Sequence, residues 1–203
     1  MPADYLVLGD SYSIGEGVEH GARWPTKLAE AMRARGIAVS APHYIATSGW
    51  TTDELSAAID AEQSAGKLRH SYGLVSLQIG VNDQYRGRPL AEFEPQFSRL
   101  LERAIAFAGG NPRHVLALSI PDWGRTPFAH AQGRDASQVT RELDDYNAAA
   151  AASCHQHGVA WVDITGLTRA KGGGEEVVSD GLHPSPVMYA RWVATVLQQF
   201  PPK

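Results

Sequence analysis

The stretch YLVLGDSYSIGEG, residues Tyr5 to Gly17, sets four apolar residues directly before a small polar turn. An apolar run that ends at Gly-Asp-Ser is typical of a buried strand followed by a turn. Ser11 would then lie at the carboxyl end of that strand, three residues after Leu8. Turns favour these residue types, so the stretch alone indicates only a turn or a helix cap. Whether Ser11 does chemistry depends on what folds beside it.

The rest of the chain alternates short apolar runs with longer amphipathic ones. After the first strand at 5–8, further strands are predicted at 37–45, 72–79, 115–120 and 159–164. Helices are predicted at 24–35, 51–65, 90–108, 136–157 and 186–200. This alternation predicts an α/β fold with a five-stranded parallel sheet that is covered on both faces.

Local signals refine this outline. Pro42 interrupts the second predicted strand and therefore indicates a position at a sheet edge. Thr51 and Glu54 have the spacing of a capping box, which marks the start of the second helix. The segments 121–135 and 168–179 lack periodicity, and we expect the second, which contains Lys-Gly-Gly-Gly, to be mobile.

Composition limits the class of protein. The 203 residues predict one domain over 1–203, and 43% hydrophobic with 20% charged residues is typical of a soluble globular chain. A net charge of −4 supplies no basic surface for nucleic acid, and no apolar run is long enough to span a membrane. The single cysteine, Cys154, excludes an intrachain disulfide. No signal peptide is recognised, so we expect a cytoplasmic protein.

A second polar fragment, SDGLHPS, covers Ser179 to Ser185 at the mouth of the last helix. Pro184 biases His183 toward an extended backbone, which can hold the imidazole off the helix. A carboxylate on one ring nitrogen leaves the other nitrogen free to act as a base, and Asp180 is close enough to supply it or to fix the local turn. If a backbone carbonyl shares this role, Asp180→Asn should cost much less activity than His183→Ala.

Two further fragments follow predicted strands. In LQIGVNDQYRG, Asn82 carries an amide that donates hydrogen bonds without titrating, which suits the stabilisation of an oxyanion. In ATSGWTTDEL, Gly49 stands just before a helix, where a ligand can approach its backbone N–H. Each fragment alone is equally typical of a turn. Because all four lie at strand ends or helix starts, their joint occurrence favours one functional site.

These four blocks resemble those of the SGNH hydrolases, also called the GDSL lipases and esterases. The resemblance extends from residue 5 to about 190, with one departure: Tyr12 stands where the family motif has leucine. It implies a flavodoxin-like three-layer α/β/α sandwich. It also implies Ser11 as nucleophile, His183 as general base and acid, and Asp180 as its orienting carboxylate, with the N–H groups of Ser11 and Gly49 and the Asn82 side chain as oxyanion donors.

The expected activity is therefore hydrolysis of short-acyl carboxylic esters through an acyl-enzyme. Thioester hydrolysis, acyl transfer to an alcohol on the same triad, and a non-catalytic binding protein of this fold remain alternatives. The candidate substrate-binding residues are Asp10, Tyr85, Arg86, Trp123 and Phe128. For Trp123 and Phe128 a pocket wall and a cover for the sheet end fit equally well, and a solvated side chain is the alternative for Arg86.

We expect no metal ion and no cofactor. His155 and His157 are two residues apart, and residues at that spacing do not share a helix face. Gly15-x-Gly17 lacks the wider pattern of a dinucleotide fingerprint. The expected partner is a small-molecule ester, with no nucleic acid; the oligomeric state is left open.

Overall fold

The computed structural model describes residues 2–200 and contains one parallel sheet of five strands in the order β2-β1-β3-β4-β5. The strands are β1 Tyr5–Gly9, β2 His43–Ala46, β3 Leu74–Gln78, β4 Val115–Leu118 and β5 Ala160–Val162. In the central register Val7 lies between Tyr44 and Ser76. Every residue of β1, β3 and β4 is buried, as expected when helices cover both faces of a parallel sheet.

The five predicted helices are all present, and four short ones follow strand ends. The helices are α1 Ser11–Ile14, α2 Trp24–Ala34, α3 Thr52–Ser64, α4 Val81–Tyr85, α5 Leu90–Phe107, α6 Pro127–Ala131, α7 Ala136–His157, α8 Thr165–Arg169 and α9 Pro186–Gln199. Helix α2 packs on α9, and α5 packs on α3 and α7. Since crossovers between parallel strands are right-handed in nearly all proteins, the strand order puts these two groups on opposite faces of the sheet, which makes the three layers of the predicted sandwich.

The edge position predicted for the second strand is confirmed, but the strand is shorter than expected. It begins at His43, after Pro42, which has no N–H to donate to a ladder. Upstream, Val39 makes only an isolated parallel bridge to Ala3. The capping box predicted at Thr51 and Glu54 is present at the start of α3.

The glycine-rich segment predicted to be mobile is packed in the structure. Gly173 and Gly174 are buried in a 3-10 turn. A Cβ atom on Gly174 would overlap the carbonyl oxygen of Arg125, and one on Gly173 would overlap that of Leu167. These glycines therefore allow a close approach of backbones, rather than a loose loop.

The strand order determines where a ligand fits. The chain leaves β1 toward β2 on one side, while β3, β4 and β5 follow on the other. Ligands in such sheets bind beyond the carboxyl ends of the strands, at this reversal of direction. The loop after β1, which begins with Asp10 and Ser11, lies at that point. Among the described residues, no helix combines the length and apolar character needed to cross a membrane.

Candidate active site

A cleft of about 210 Å³ opens at the carboxyl edge of the sheet. Its lining draws on all four sequence blocks and on the loops after β3 and β4. The lining residues are Ser11, Tyr12, Glu16, Ser48, Gly49, Val81, Asn82, Tyr85, Trp123, Phe128, Leu182 and His183. The structure therefore brings Ser11, from near the start of the chain, and His183, from near its end, to one surface.

Ser11 is the first residue of α1 and is buried, with 6% of its surface exposed. Asp10 caps this helix, because its Oδ1 accepts a hydrogen bond of 3.0 Å from the N–H of Tyr12. Within residues 2–200 the Ser11 hydroxyl and His183 form no direct hydrogen bond, although both line the cleft. In unliganded active sites catalytic hydrogen bonds are often long or poorly aligned, and they tighten when substrate binds.

His183 is held by Asp180 from the same loop. Nδ1 of His183 lies 2.6 Å from Oδ2 of Asp180, while Oδ1 accepts hydrogen bonds from the N–H groups of Leu182 and His183. Partial burial alone would raise the pKa of Asp180, but these hydrogen bonds outweigh burial and lower that pKa below its usual value. The carboxylate stays ionised beside the ring, and Nε2 of His183 has no hydrogen-bond partner within residues 2–200.

The loop that carries His183 is anchored by the short helix α6. The N–H of Phe128, in the first turn of α6, donates to the carbonyl of Gly181 at 2.9 Å. On the other side, the N–H of Val178 donates to the carbonyl of His183 at 2.8 Å. The segment without periodicity at 121–135 thus folds into an element that supports the histidine loop.

Asn82 lies in α4 and Gly49 lies in the turn between β2 and α3. One amide hydrogen of Asn82 is used by the carbonyl of Trp50, 2.8 Å from Nδ2, and the amide has a second hydrogen to donate. Gly49 has a φ of +86°, a region that only glycine enters without strain. Both residues line the cleft beside Ser11.

Three of the predicted substrate-binding residues form an aromatic wall. The ring centroid of Tyr85 lies 5.3 Å from that of Trp123 and 6.5 Å from that of Phe128. All three line the cleft. Trp123 is fully buried and donates through Nε1 to Gln84, which fixes the wall in place. Arg134, which the sequence analysis missed, lies 5.2 Å over the Tyr85 ring and 5.3 Å over the Trp123 ring.

The other two predicted substrate-binding residues do not line the cleft. Asp10 is buried as the cap of α1, and Arg86 donates to the carbonyl of Gly49 at 2.7 Å. Asp10 instead contacts the backbone of α1, and Arg86 contacts the backbone of the Gly49 loop.

The sequence analysis also missed Glu16 and Ser48. Both line the cleft and are hydrogen-bonded to each other across its rim. The only sequence signal for these two residues is their position: Ser48 precedes Gly49, and Glu16 lies in the same stretch as Ser11. Tyr12, the departure from the family motif, packs edge-on against the His183 ring with centroids 5.8 Å apart.

The buried carboxyl group of Asp10 is electrostatically unusual. Burial raises the pKa of Asp10 from 3.8 to about 8, against the lowering effect of the Tyr12 N–H, and the nearby charge of Asp83 raises it further. Its Oδ2 is buried with no hydrogen-bond partner in the described part of the chain. The uncharged acid is therefore favoured at neutral pH.

His157, one of the two histidines considered as a metal pair, has contacts of its own. Nδ1 of His157 contacts the carbonyl of Ser153 at 2.8 Å, and its Nε2 lies 3.5 Å from Glu102. Across residues 2–200 there is no group of three or more histidine, cysteine, aspartate or glutamate side chains placed to hold a metal ion.

Solved structures with this fold are similar over nearly the whole chain. TesA matches with a TM-score of 0.73 and 22% identity, covering 97% of each chain. The lipase/acylhydrolase from Enterococcus faecalis matches with a TM-score of 0.73 and 20% identity, over 98% of this chain and 94% of that one. Axe2, an acetylxylan esterase from Geobacillus stearothermophilus, matches with a TM-score of 0.74 and 16% identity, over 99% and 95%.

At these identities the likeness establishes the fold alone. A search of curated protein sequences finds no match. A sequence model of the GDSL-like lipase/acylhydrolase family, however, matches residues 7–191, which is most of the chain and includes all four blocks. The chain belongs to the GDSL-like lipase/acylhydrolase family and is a hydrolase of the esterase and acylhydrolase class.

Proposed function

We propose that the protein hydrolyses short-acyl carboxylic esters through an acyl-enzyme formed on Ser11, with His183 and Asp180 completing a triad. The single observation that carries the proposal is the cleft in which Ser11, Gly49, Asn82 and His183 meet. A hydroxyl becomes an effective nucleophile when an adjacent base takes its proton. Oxyanion stabilisation needs preorganised donors, and Asn82 and the glycine loop supply them at the same cleft.

In the proposed first step, Ser11 Oγ attacks the ester carbonyl carbon and transfers its proton to Nε2 of His183. The carbonyl oxygen becomes an oxyanion that accepts hydrogen bonds from the N–H groups of Ser11 and Gly49 and from the free amide hydrogen of Asn82. The carbon–oxygen bond to the alcohol then breaks, and the alcohol leaves with the proton from His183. Water repeats these steps on the acyl-enzyme and releases the acid.

Two features support a short acyl group. The cleft volume of about 210 Å³ lies below the roughly 300–1,000 Å³ of sites that enclose drug-sized ligands. The aromatic wall formed by Tyr85, Trp123 and Phe128 bounds one side with rigid rings. An acetyl or similar group fits this space, whereas a long acyl chain would have to extend into solvent.

The first test is the hydrolysis of p-nitrophenyl esters from acetate to octanoate, with an aryl thioester alongside. We expect acetate to be turned over fastest and Ser11→Ala to abolish the reaction. The matched control is Ser13→Ala in the same short helix. The hydroxyl that it removes is buried and has no hydrogen-bond partner among residues 2–200. Wild-type rates in folded Ser11→Ala protein would refute the proposal, and octanoate turned over faster than acetate would refute the short-acyl preference.

The same assay tests the role of Asp180. Within the described residues Asp180 Oδ2 is the only hydrogen-bond partner of His183 Nδ1. No backbone carbonyl shares this role, so the mild effect of Asp180→Asn that such sharing would give is not expected. Asparagine can donate an N–H group to Nδ1 of His183 and so favour the tautomer that is protonated on Nε2. In that tautomer Nε2 cannot accept the proton of Ser11. We expect Asp180→Asn to lower kcat by a factor of at least about 10². A loss below tenfold would mean that Asp180 only stabilises the loop, through the N–H groups of Leu182 and His183, and would contradict its role in the triad.

A further inference from the structure

The Gly49 loop is held by residues of α4 and its C-terminal cap. Nη2 of Arg86 donates to the carbonyl of Gly49 at 2.7 Å, and Nδ2 of Asn82 donates to the carbonyl of Trp50 at 2.8 Å. Asp83 is fully buried and accepts hydrogen bonds from the N–H of Thr52 at 3.1 Å and from its hydroxyl at 2.8 Å. Three side chains that follow β3 therefore bind the loop after β2 and the first residue of α3.

The guanidinium of Arg86 is itself restrained. Its Nη1 lies 3.4 Å from both carboxylate oxygens of Glu54. Glu54 belongs to the capping box of α3 and accepts the N–H of Thr51 at 2.9 Å. The Thr51 N–H, together with Arg86, lowers the pKa of Glu54, so this carboxylate stays charged opposite the guanidinium. Arg86 thus joins the carbonyl of Gly49 to the first turn of α3.

Gly49 is the position where such a restraint has most effect. Glycine has no side chain to limit its backbone, and its φ of +86° can change at little steric cost. A hydrogen bond to its carbonyl holds the peptide between Gly49 and Trp50, and the N–H of that same peptide donates to the carbonyl of Thr47 at 3.3 Å. The turn is thereby closed on both sides of Gly49, which restrains the direction of the Gly49 N–H. Oxyanion donors contribute most when they are already in place before charge develops.

We propose that Arg86 is a positioning residue that fixes the Gly49 backbone, and so aims the Gly49 N–H at the oxyanion, rather than a residue that binds substrate. The inference rests on the proposed esterase function. Arg86 does not line the cleft around Ser11, and both of its arms are engaged by Gly49 and Glu54. We therefore expect the loss of Arg86 to lower kcat and to leave KM unchanged.

The test compares Arg86→Met with Arg103→Met in p-nitrophenyl acetate hydrolysis by the full chain. Arg103 is a matched control: it also bridges to α3, donating to the carbonyl of Ser56 at 3.1 Å and to Asp60 at 2.6 Å, but it does not line the cleft or contact the Gly49 loop. A displaced donor can cost up to about 10² in rate, so we expect Arg86→Met to lower kcat about 10- to 100-fold. KM and the pH of half-maximal kcat should stay at their wild-type values, and Arg103→Met should keep wild-type kcat.

Arg86→Lys keeps one donor for the Gly49 carbonyl without the second arm to Glu54, and we expect an intermediate kcat. This variant also provides the test if Arg86→Met fails to fold. Wild-type kcat in a folded Arg86 variant, or a loss no larger than in Arg103→Met, would overturn the inference while the esterase proposal stands. A rise in KM confined to anionic esters would instead make Arg86 a substrate-binding residue and overturn it too. A wild-type protein that hydrolysed no ester would refute the inference together with the proposed function.

Discussion

Asp10 directly precedes Ser11, and folding strongly changes the acid–base behaviour of its carboxyl group. Its carboxyl group is buried, with a pKa raised to about 8, so the folded chain holds a proton there that the unfolded chain releases near pH 3.8. Between these values the folded state binds more protons than the unfolded state. The free energy of unfolding contributed by Asp10 therefore falls as the pH rises from about 4 to about 8.

Asp10→Asn removes this titration and keeps an oxygen that can accept the N–H of Tyr12. We expect wild type to lose stability relative to Asp10→Asn as the pH is raised from 5 to 8, measured as the difference in urea unfolding free energy. The reason is that the unfolded wild-type chain has released the Asp10 proton in this pH range while the folded chain keeps it, so rising pH favours the unfolded state. Parallel pH profiles for the two proteins would contradict the raised pKa.

At the residue scale the sequence predicts the candidate site residues but not the residues that support them. Ser11, Asn82 and His183 are recognisable because they follow a strand or precede a helix, and because their side chains carry distinct chemistry. Arg86 was expected to meet either substrate or solvent, because its contact with Gly49 joins residues 37 positions apart. A contact of that kind depends on which strands become neighbours and leaves no local pattern.

At the scale of elements, the long helices were predictable and the short ones were not. Helices α5 and α7 extend over several turns, so their apolar residues recur often enough to mark one face. Helices α4 and α6 have five residues each, too few for a period to show. These short helices nevertheless carry Asn82 and anchor the histidine loop, so the missing elements were those nearest the site.

The glycine-rich segment gives a prediction at the same scale. Gly174→Ala places a Cβ atom against the carbonyl of Arg125, just before α6, and should destabilise the fold by about 1–3 kcal/mol. Gly166→Ala in α8 is the matched control, because a Cβ atom there meets no described atom within 4 Å. It should be neutral or stabilise by up to about 1 kcal/mol. The measurement is the urea unfolding midpoint of each variant.

Equal stability of the two alanine variants would contradict the packed arrangement of residues 173–175 and would favour the mobile loop expected from the sequence. The glycines were ambiguous because the same residue type permits both flexibility and close approach of two backbones. Only the neighbouring backbone at Arg125 distinguishes these two outcomes.

At the scale of the whole molecule, the sheet order produces the site. Because β1 lies between β2 and β3, the loops after these three strands, which bear Ser11, Gly49 and Asn82, end side by side. The last loop before α9 adds His183 from near the other end of the chain. The alternation of strands and helices predicted a parallel sheet, and Pro42 predicted one edge strand. The complete order is set by pairings between distant segments, which periodicity does not encode.

The most direct test of the central claim is covalent labelling by a fluorophosphonate, followed by mass spectrometry of the intact protein and its peptides. The account predicts one phosphonate per chain, on the peptide that contains Ser11, formed by wild type and Ser13→Ala at similar rates and by Ser11→Ala not at all. His183→Ala should label far more slowly, because the hydroxyl loses its base. Labelling of Ser11→Ala at the wild-type rate, or no label on folded wild-type protein, would contradict it.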